Sequence, residues 1–155
     1  STAADSLYLK QIRKRIAAAG CAGKVHFHDD FTDEGKRKFF RMVSISSVPV
    51  RNGEAFGLYL TELMASGIPV VQPSLGAFPE IVEVSGGGVT YSPNPPEVLA
   101  QAWMDVLSDG ERLDTLSRCA RAGVETHFNV YVQAEAMVRM YQELINNRKD
   151  AARAD

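Results

Sequence analysis

The run Ile68-Pro69-Val70-Val71-Gln72-Pro73 constrains the fold more than any other segment of the chain. It is short and apolar, with Gly67 before it and a proline at its end. That is the pattern of a strand buried on both faces. Such a strand belongs to a parallel sheet covered by helices on either side. The neighbouring segments follow the same plan. Leu7, Leu9, Ile12 and Ile16 recur at helical spacing, so residues 5–18 read as a helix, ended by Gly20 and Gly23. Residues 24–29 alternate, with Val25 and Phe27 on one side, and read as a strand. Thr32 is placed to cap the next helix, with Glu34 in its first turn and Phe39, Phe40 and Val43 on its apolar side.

Residues 43–48, VSISSV, are rich in β-branched side chains and read as a further strand. A loop, PVRNGEAF, leads into a helix over 57–66 that Gly67 stops. A short helix then carries Pro79 near its first position, and GGGVTY turns into a strand at 88–91. Pro95 and Pro96 open a helix to about residue 107, and two more follow over 110–124 and 129–146. The alternation predicts an α/β fold: a Rossmann-like parallel sheet with helices on both faces and additional C-terminal helices. The domain is expected over 1–146, with a frayed tail over 147–155. At most four strands are counted, where doubly wound domains usually have five or six. With no initiator Met, this leads to the expectation of a piece of a longer protein lacking its first strand–helix unit.

The 155 residues, 45% hydrophobic and 23% charged, suffice for one globular core without metal or disulfide staples. A net charge of −2 with interspersed signs gives no basic face for nucleic acid. The basic run Lys10–Arg15 reads as a solvated helix face, with anionic lipid or phosphate as the alternative. No apolar run approaches the ~20 residues of a membrane span. Cys21 and Cys119 have no redox or metal spacing, and read as reduced thiols of a cytoplasmic protein. His26 and His28 alternate on one segment without a third ligand, which favours structural roles over a metal site. Gly86-Gly87-Gly88 precedes a strand instead of opening a helix, so it reads as a turn and not a dinucleotide fingerprint. Trp103 reads as a core residue.

The chemistry concentrates in GEAFGLYLTELMASGIPVV, residues 53–71. Ligands of open parallel sheets bind beyond the carboxyl ends of the strands, where this loop lies. Free N–H groups and the helix dipole at Phe56-Gly57-Leu58 suit a phosphate, and Gly57 removes a side chain that would block its approach. Glu62 is the single charge on an otherwise apolar helix, its Cα ~7 Å along the axis from the start. That matches the reach from a bound diphosphate to the ribose of the same nucleotide. The burial expected of such a helix would also leave the carboxylate in need of a partner. The alternative places Glu62 on a helix edge facing water. Glu54, in the loop, is either solvated or faces the sugar on the other side of the diphosphate.

Glu54 and Glu62 seven residues apart, Phe56-Gly57 between them, then MASGIPVV and GAFPEIVE, resemble the retaining, nucleotide-sugar-dependent glycosyltransferases of the GT-B fold. More narrowly, the resemblance is to glycosyltransferase group 1, and it extends to VHF, SISSVPV, PPEVLAQAW and the late helices up to Tyr141. It implies the C-terminal, donor-binding domain of such an enzyme. Phe56, Gly57 and Leu58 would hold the diphosphate of a UDP- or GDP-sugar, and Glu62 would bind the ribose. Glu54 would approach the transferred sugar as the catalytic candidate, Gly76 would lie near the cleft, and Phe31 would meet the nucleobase. Transfer would proceed to an acceptor hydroxyl of a sugar, glycan or lipid without metal or other cofactor. The acceptor site would lie in an absent N-terminal domain, with peripheral membrane association open for the whole protein. The pattern departs from the family at Asp29, Leu63 and Ala77, where glycine, alanine and glycine are common. The Arg and Lys that neutralise the diphosphate in the family precede this stretch and have no counterpart here, so the chain alone is expected to lack catalysis. The readings left open are an epimerase or phosphorylase on the same scaffold, or a non-catalytic nucleotide- or protein-binding module.

Overall fold

The computed structural model describes the backbone of residues 3–154 and the side chains of residues 5–148. Most of the tail expected over 147–155 therefore falls outside the described side chains. The chain divides into two compact units, Ser1–Phe39 and Phe40–Asp155.

The first unit holds α1 (Ala3–Ala18), a 3-10 turn (Ala22–Lys24) and most of α2 (Asp33–Phe40). Thr32 caps α2 as the sequence predicts: its hydroxyl accepts the Gly35 N–H at 3.1 Å. Asp30 in turn accepts from the Thr32 hydroxyl at 2.6 Å and its N–H at 3.0 Å. These bonds hold the Asp30 carboxyl below the usual aspartate range. The strand expected over 24–29 does not form; residues 25–31 are irregular. Alternation requires a neighbouring strand to become a ladder, and the described residues of this unit offer none. Val25 and Phe27 accordingly stay partly exposed, with the Arg13 guanidinium 3.9 Å from the Phe27 ring centroid.

The second unit is built on two parallel strands, β1 (Val70–Pro73) and β2 (Gly88–Tyr91), paired from Val70↔Gly88 to Pro73↔Tyr91. Of the strand expected over 43–48, only Ser46 pairs, through one parallel bridge to Val70. Its N–H donates to Pro69 and its carbonyl accepts from Val71. Beyond it the ladder is broken by side chains. Val48 N–H donates to the Gln72 amide oxygen at 3.1 Å, and the Ser47 hydroxyl donates to the Val71 carbonyl. Gln72 is fully buried, and its Nε2 is the one buried side-chain polar atom without a partner among the described residues.

β1 is buried along its whole length, as the apolar run predicts. Val70 faces a cluster with Leu60, Met64, Phe78, Ile81 and Val82, contributed by α3 (Leu58–Ala65) and α4 (Phe78–Ser85). Val71 faces the opposite cluster with Tyr91 and Val106, the latter from α5 (Pro96–Leu107). Successive strand residues point to opposite faces, so helices cover both. The following helix, α6 (Gly110–His127), runs past the sheet and joins both clusters, with Leu113 and Leu116 on the α5 side and Ala120 and Val124 on the other. The last helix, α7 (Val130–Ala154), exposes all its described side chains. Trp103, expected in the core, lies on the surface at 39% exposure, and its indole N–H donates to Ser47 at 2.8 Å.

Candidate functional site

Gly57 sets the entry to α3. Its φ is +82°, a left-handed conformation that glycine adopts without strain, and no side chain caps the helix behind it. The amino end of α3 therefore retains its dipole and its capacity to donate to an anion. Glu54, Ala55, Phe56, Gly57, Leu58 and Tyr59 line a shallow open groove of about 530 Å³ at this end. Phe56 meets Phe128 edge to face with ring centroids 6.3 Å apart, which ties the groove wall to the carboxyl end of α6.

Glu54 is the most closely held group in the groove. Its backbone carbonyl accepts the Ala77 N–H at 2.9 Å. One carboxylate oxygen accepts the Ala55 N–H at 2.9 Å and the other accepts the Tyr59 hydroxyl at 3.1 Å. Gly76 makes the backbone contact possible: its φ is +59°, and a Cβ there would strike the Glu54 carbonyl and amide. The loop after the 43–48 segment thus packs against the loop after β1, at the carboxyl ends of both. Further back, the Tyr91 hydroxyl donates to Asn94, whose amide donates to the Val50 carbonyl at 3.0 Å. Burial pushes the Tyr91 phenol above its ordinary value.

Glu62 is exposed, as the helix-edge alternative expects, and not buried as a helix apolar all round would require. Leu60, Thr61, Leu63 and Met64 supply the buried side of α3, whereas Leu58, Glu62, Ala65 and Ser66 form an outward stripe. Glu62 lies one turn, about 5.4 Å, beyond Leu58 on that stripe. It is therefore on the same helix face as a groove residue, one step outside the groove lining.

Phe31 belongs to the first unit. It is 91% exposed and lines a groove of about 470 Å³ with His26, Phe27, His28, Asp30, Lys36 and Phe39. His28 packs against Phe39 there, ring centroids 5.2 Å apart. No cluster of three or more His, Cys, Asp or Glu side chains suited to a metal ion occurs among the described residues.

Five of the residues singled out from the sequence thus share one site: Glu54, Phe56, Gly57 and Leu58 line the groove, and Gly76 braces it. Sequence reasoning passed over Tyr59, whose signal was a hydroxyl five residues after Glu54 in an otherwise apolar segment.

A parallel α/β sheet with an uncapped helix end and a fixed carboxylate beyond its strands places the chain in the class of Rossmann-like domains. The profile of the family described as Glycosyl transferases group 1 matches residues 5–126, and the chain belongs to that family. It is 29% identical over 139 residues to the lipopolysaccharide core biosynthesis mannosyltransferase LpsB of Rhizobium meliloti, covering 87% of this chain and 38% of LpsB. It is 29% identical over 143 residues to the D-inositol 3-phosphate glycosyltransferase of Streptomyces griseus, covering 92% of this chain and 30% of that enzyme. The Anabaena protein HepE, solved in complex with UDP, shares the fold with a TM-score of 0.78 at 20% identity, over 92% of this chain and 38% of HepE. The chain thus spans 30–38% of the length of these proteins. No helix among the described residues is long and apolar enough to cross a membrane.

Proposed function

We propose that this chain is the donor-binding, C-terminal part of a retaining glycosyltransferase that takes a nucleoside-diphosphate sugar. The observation that carries the reading is the Glu54 carboxylate held beside the uncapped amino end of α3. An uncapped helix end binds a diphosphate through backbone N–H groups, and an adjacent carboxylate accepts hydrogen bonds from sugar hydroxyls. Family membership and the HepE–UDP complex support the same ligand class.

In this reading the backbone of Phe56, Gly57 and Leu58 receives the diphosphate. Glu62, one turn along the outward stripe, accepts the two ribose hydroxyls, and exposure suits a group that must be reached by ligand. Glu54 meets the transferred sugar, and Gly76 shapes the cleft wall. Transfer retains anomeric configuration, the acceptor hydroxyl attacking on the face from which the diphosphate leaves. Charge on the leaving group is met by donors and cationic side chains of the protein, without metal or other cofactor. The acceptor, a sugar, glycan or lipid, is bound by the rest of the whole protein, which associates peripherally with membrane when the acceptor is a lipid. The free thiols of Cys21 and Cys119 support a cytoplasmic place of work.

Titration calorimetry with UDP, GDP, ADP and the corresponding sugar nucleotides tests the proposal. Binding of one nucleotide family is expected, unaffected by EDTA and lost or weakened at least tenfold in Glu62→Ala. Absence of binding by any of them at millimolar concentration would overturn it.

A further inference from the structure

We propose that Tyr59 is a positioning residue for Glu54, its hydroxyl fixing the carboxylate in the orientation that receives the hydroxyls of the transferred sugar. The inference rests on the donor-binding role proposed above. Tyr59 stands in the first turn of α3, and its ring packs against the buried cluster of Leu60, Met64, Val70 and Phe78. The ring is thus anchored from below, and its hydroxyl reaches the groove and donates to one Glu54 oxygen at 3.1 Å. The Ala55 N–H occupies the other oxygen at 2.9 Å, and the Ala77 N–H fixes the Glu54 carbonyl.

A glutamate side chain alone on a loop samples several rotamers, and ordering it on ligand binding weakens affinity. Here the chain itself holds both carboxylate oxygens. Each oxygen can accept a second hydrogen bond, so the carboxylate stays available to a diol while its plane is set. The Tyr59 phenol is pushed up to about 12, first by burial and then by its bond to Glu54, so it remains a donor at every pH where the protein works. The hydroxyl acts through Glu54 alone in this arrangement, which separates the sugar from the nucleotide.

Tyr59→Phe keeps the anchored ring and removes the hydroxyl, and so spares the fold. Calorimetry on the full chain compares UDP-glucose and GDP-mannose with UDP and GDP. The variant is expected to weaken the preferred sugar nucleotide about 3- to 10-fold, the range of an ordinary net hydrogen bond, and to leave the nucleoside diphosphate unchanged. In a Glu54→Gln background the same change is expected to have under a twofold effect, because the coupling runs through that carboxylate. Equal weakening of sugar nucleotide and nucleoside diphosphate would overturn the proposal in favour of a purely structural tyrosine, as would no weakening of either. If the unmutated chain binds no nucleotide at all, the donor-binding reading itself fails and the positioning role falls with it, a result read before any variant is made.

Discussion

A methyl group on Gly76 would press into the backbone of Glu54, and the residue already sits at φ +59°. Gly76→Ala therefore combines left-handed strain with a collision against a main chain that has no flexible end to retreat. Strain of this kind costs about 1–3 kcal/mol. The expected result is a loss of that size in chemical denaturation, together with a displaced Glu54 and weaker sugar-nucleotide binding. A variant with unaltered stability would show that the two loops do not lean on each other. Tyr59 offers a second residue-scale test. Its folded pKa near 12 exceeds the ordinary value of 10, so the folded state keeps a proton that the unfolded chain sheds. Tyr59 then contributes stability that is intact below pH 10 and lost as pH rises towards 12. Absorbance titration of the phenols should find two groups ionising late, Tyr91 through burial and Tyr59 near 12. Glu54→Gln should bring Tyr59 down without restoring 10, since burial is the larger cause. At this scale the sequence was informative about which residues mattered and less so about their surroundings. Glu62 was legible as the odd charge on α3, but a helix that buries Leu60, Leu63 and Met64 on one side still has an open edge. An overall apolar composition cannot distinguish that edge from a buried face. The Tyr59–Glu54 bond depends on the left-handed turn at Gly57, which brings side chains five residues apart together, and no periodicity encodes it.

Every expected helix forms, whereas of the four expected strands only those at 68–73 and 88–91 do, and both outcomes have a common reason. Helix signals are local: caps, prolines and spacing, as at Thr32, Pro79 and Pro95-Pro96, act within a few residues. A strand exists only through its neighbour. VSISSV has the β-branched composition of a strand, but after Ser46 the adjoining Gln72 and Ser47 side chains take hydrogen bonds that a ladder would use. The start of α6 shows how locally a helix is determined. Asp109 accepts the Arg112 N–H at 2.9 Å as the N-cap, and Gly110 follows with open space around its missing Cβ and no left-handed φ. Adjacent substitutions should therefore act in opposite directions. Asp109→Ala is expected to lower stability by about 0.5–2 kcal/mol through loss of the cap. Gly110→Ala is expected to raise it by about 0.4–1 kcal/mol by restricting the unfolded chain. Equilibrium unfolding in urea measures both. If the two shifts share a sign, the cap does not control this end of the helix.

For the molecule as a whole, the question is how much of an enzyme a chain of this span can supply. It holds a complete helix end, a fixed carboxylate and their bracing loops, but matches only 30–38% of the length of the two related transferases. Ligand binding and transfer make different demands. Binding needs groups that meet the ground state, which a preformed groove can provide. Transfer also needs the leaving diphosphate stabilised as its charge grows, and each missing electrostatic donor costs about 10²–10³ in rate. It further needs an acceptor hydroxyl held within reach, worth several more powers of ten through orientation. On the donor-binding reading proposed above, both demands exceed what this chain holds. The expected behaviour is therefore nucleotide binding without turnover: calorimetric heat on adding the preferred sugar nucleotide, and no transfer to sugar, glycan or lipid acceptors above the uncatalysed background. A protein extended to the length of its relatives should transfer, with the same Glu54 and Glu62 dependence. Release of nucleoside diphosphate by the chain alone, matched by glycosylated acceptor in mass spectrometry, would show that residues on this side of the cleft suffice for the chemistry.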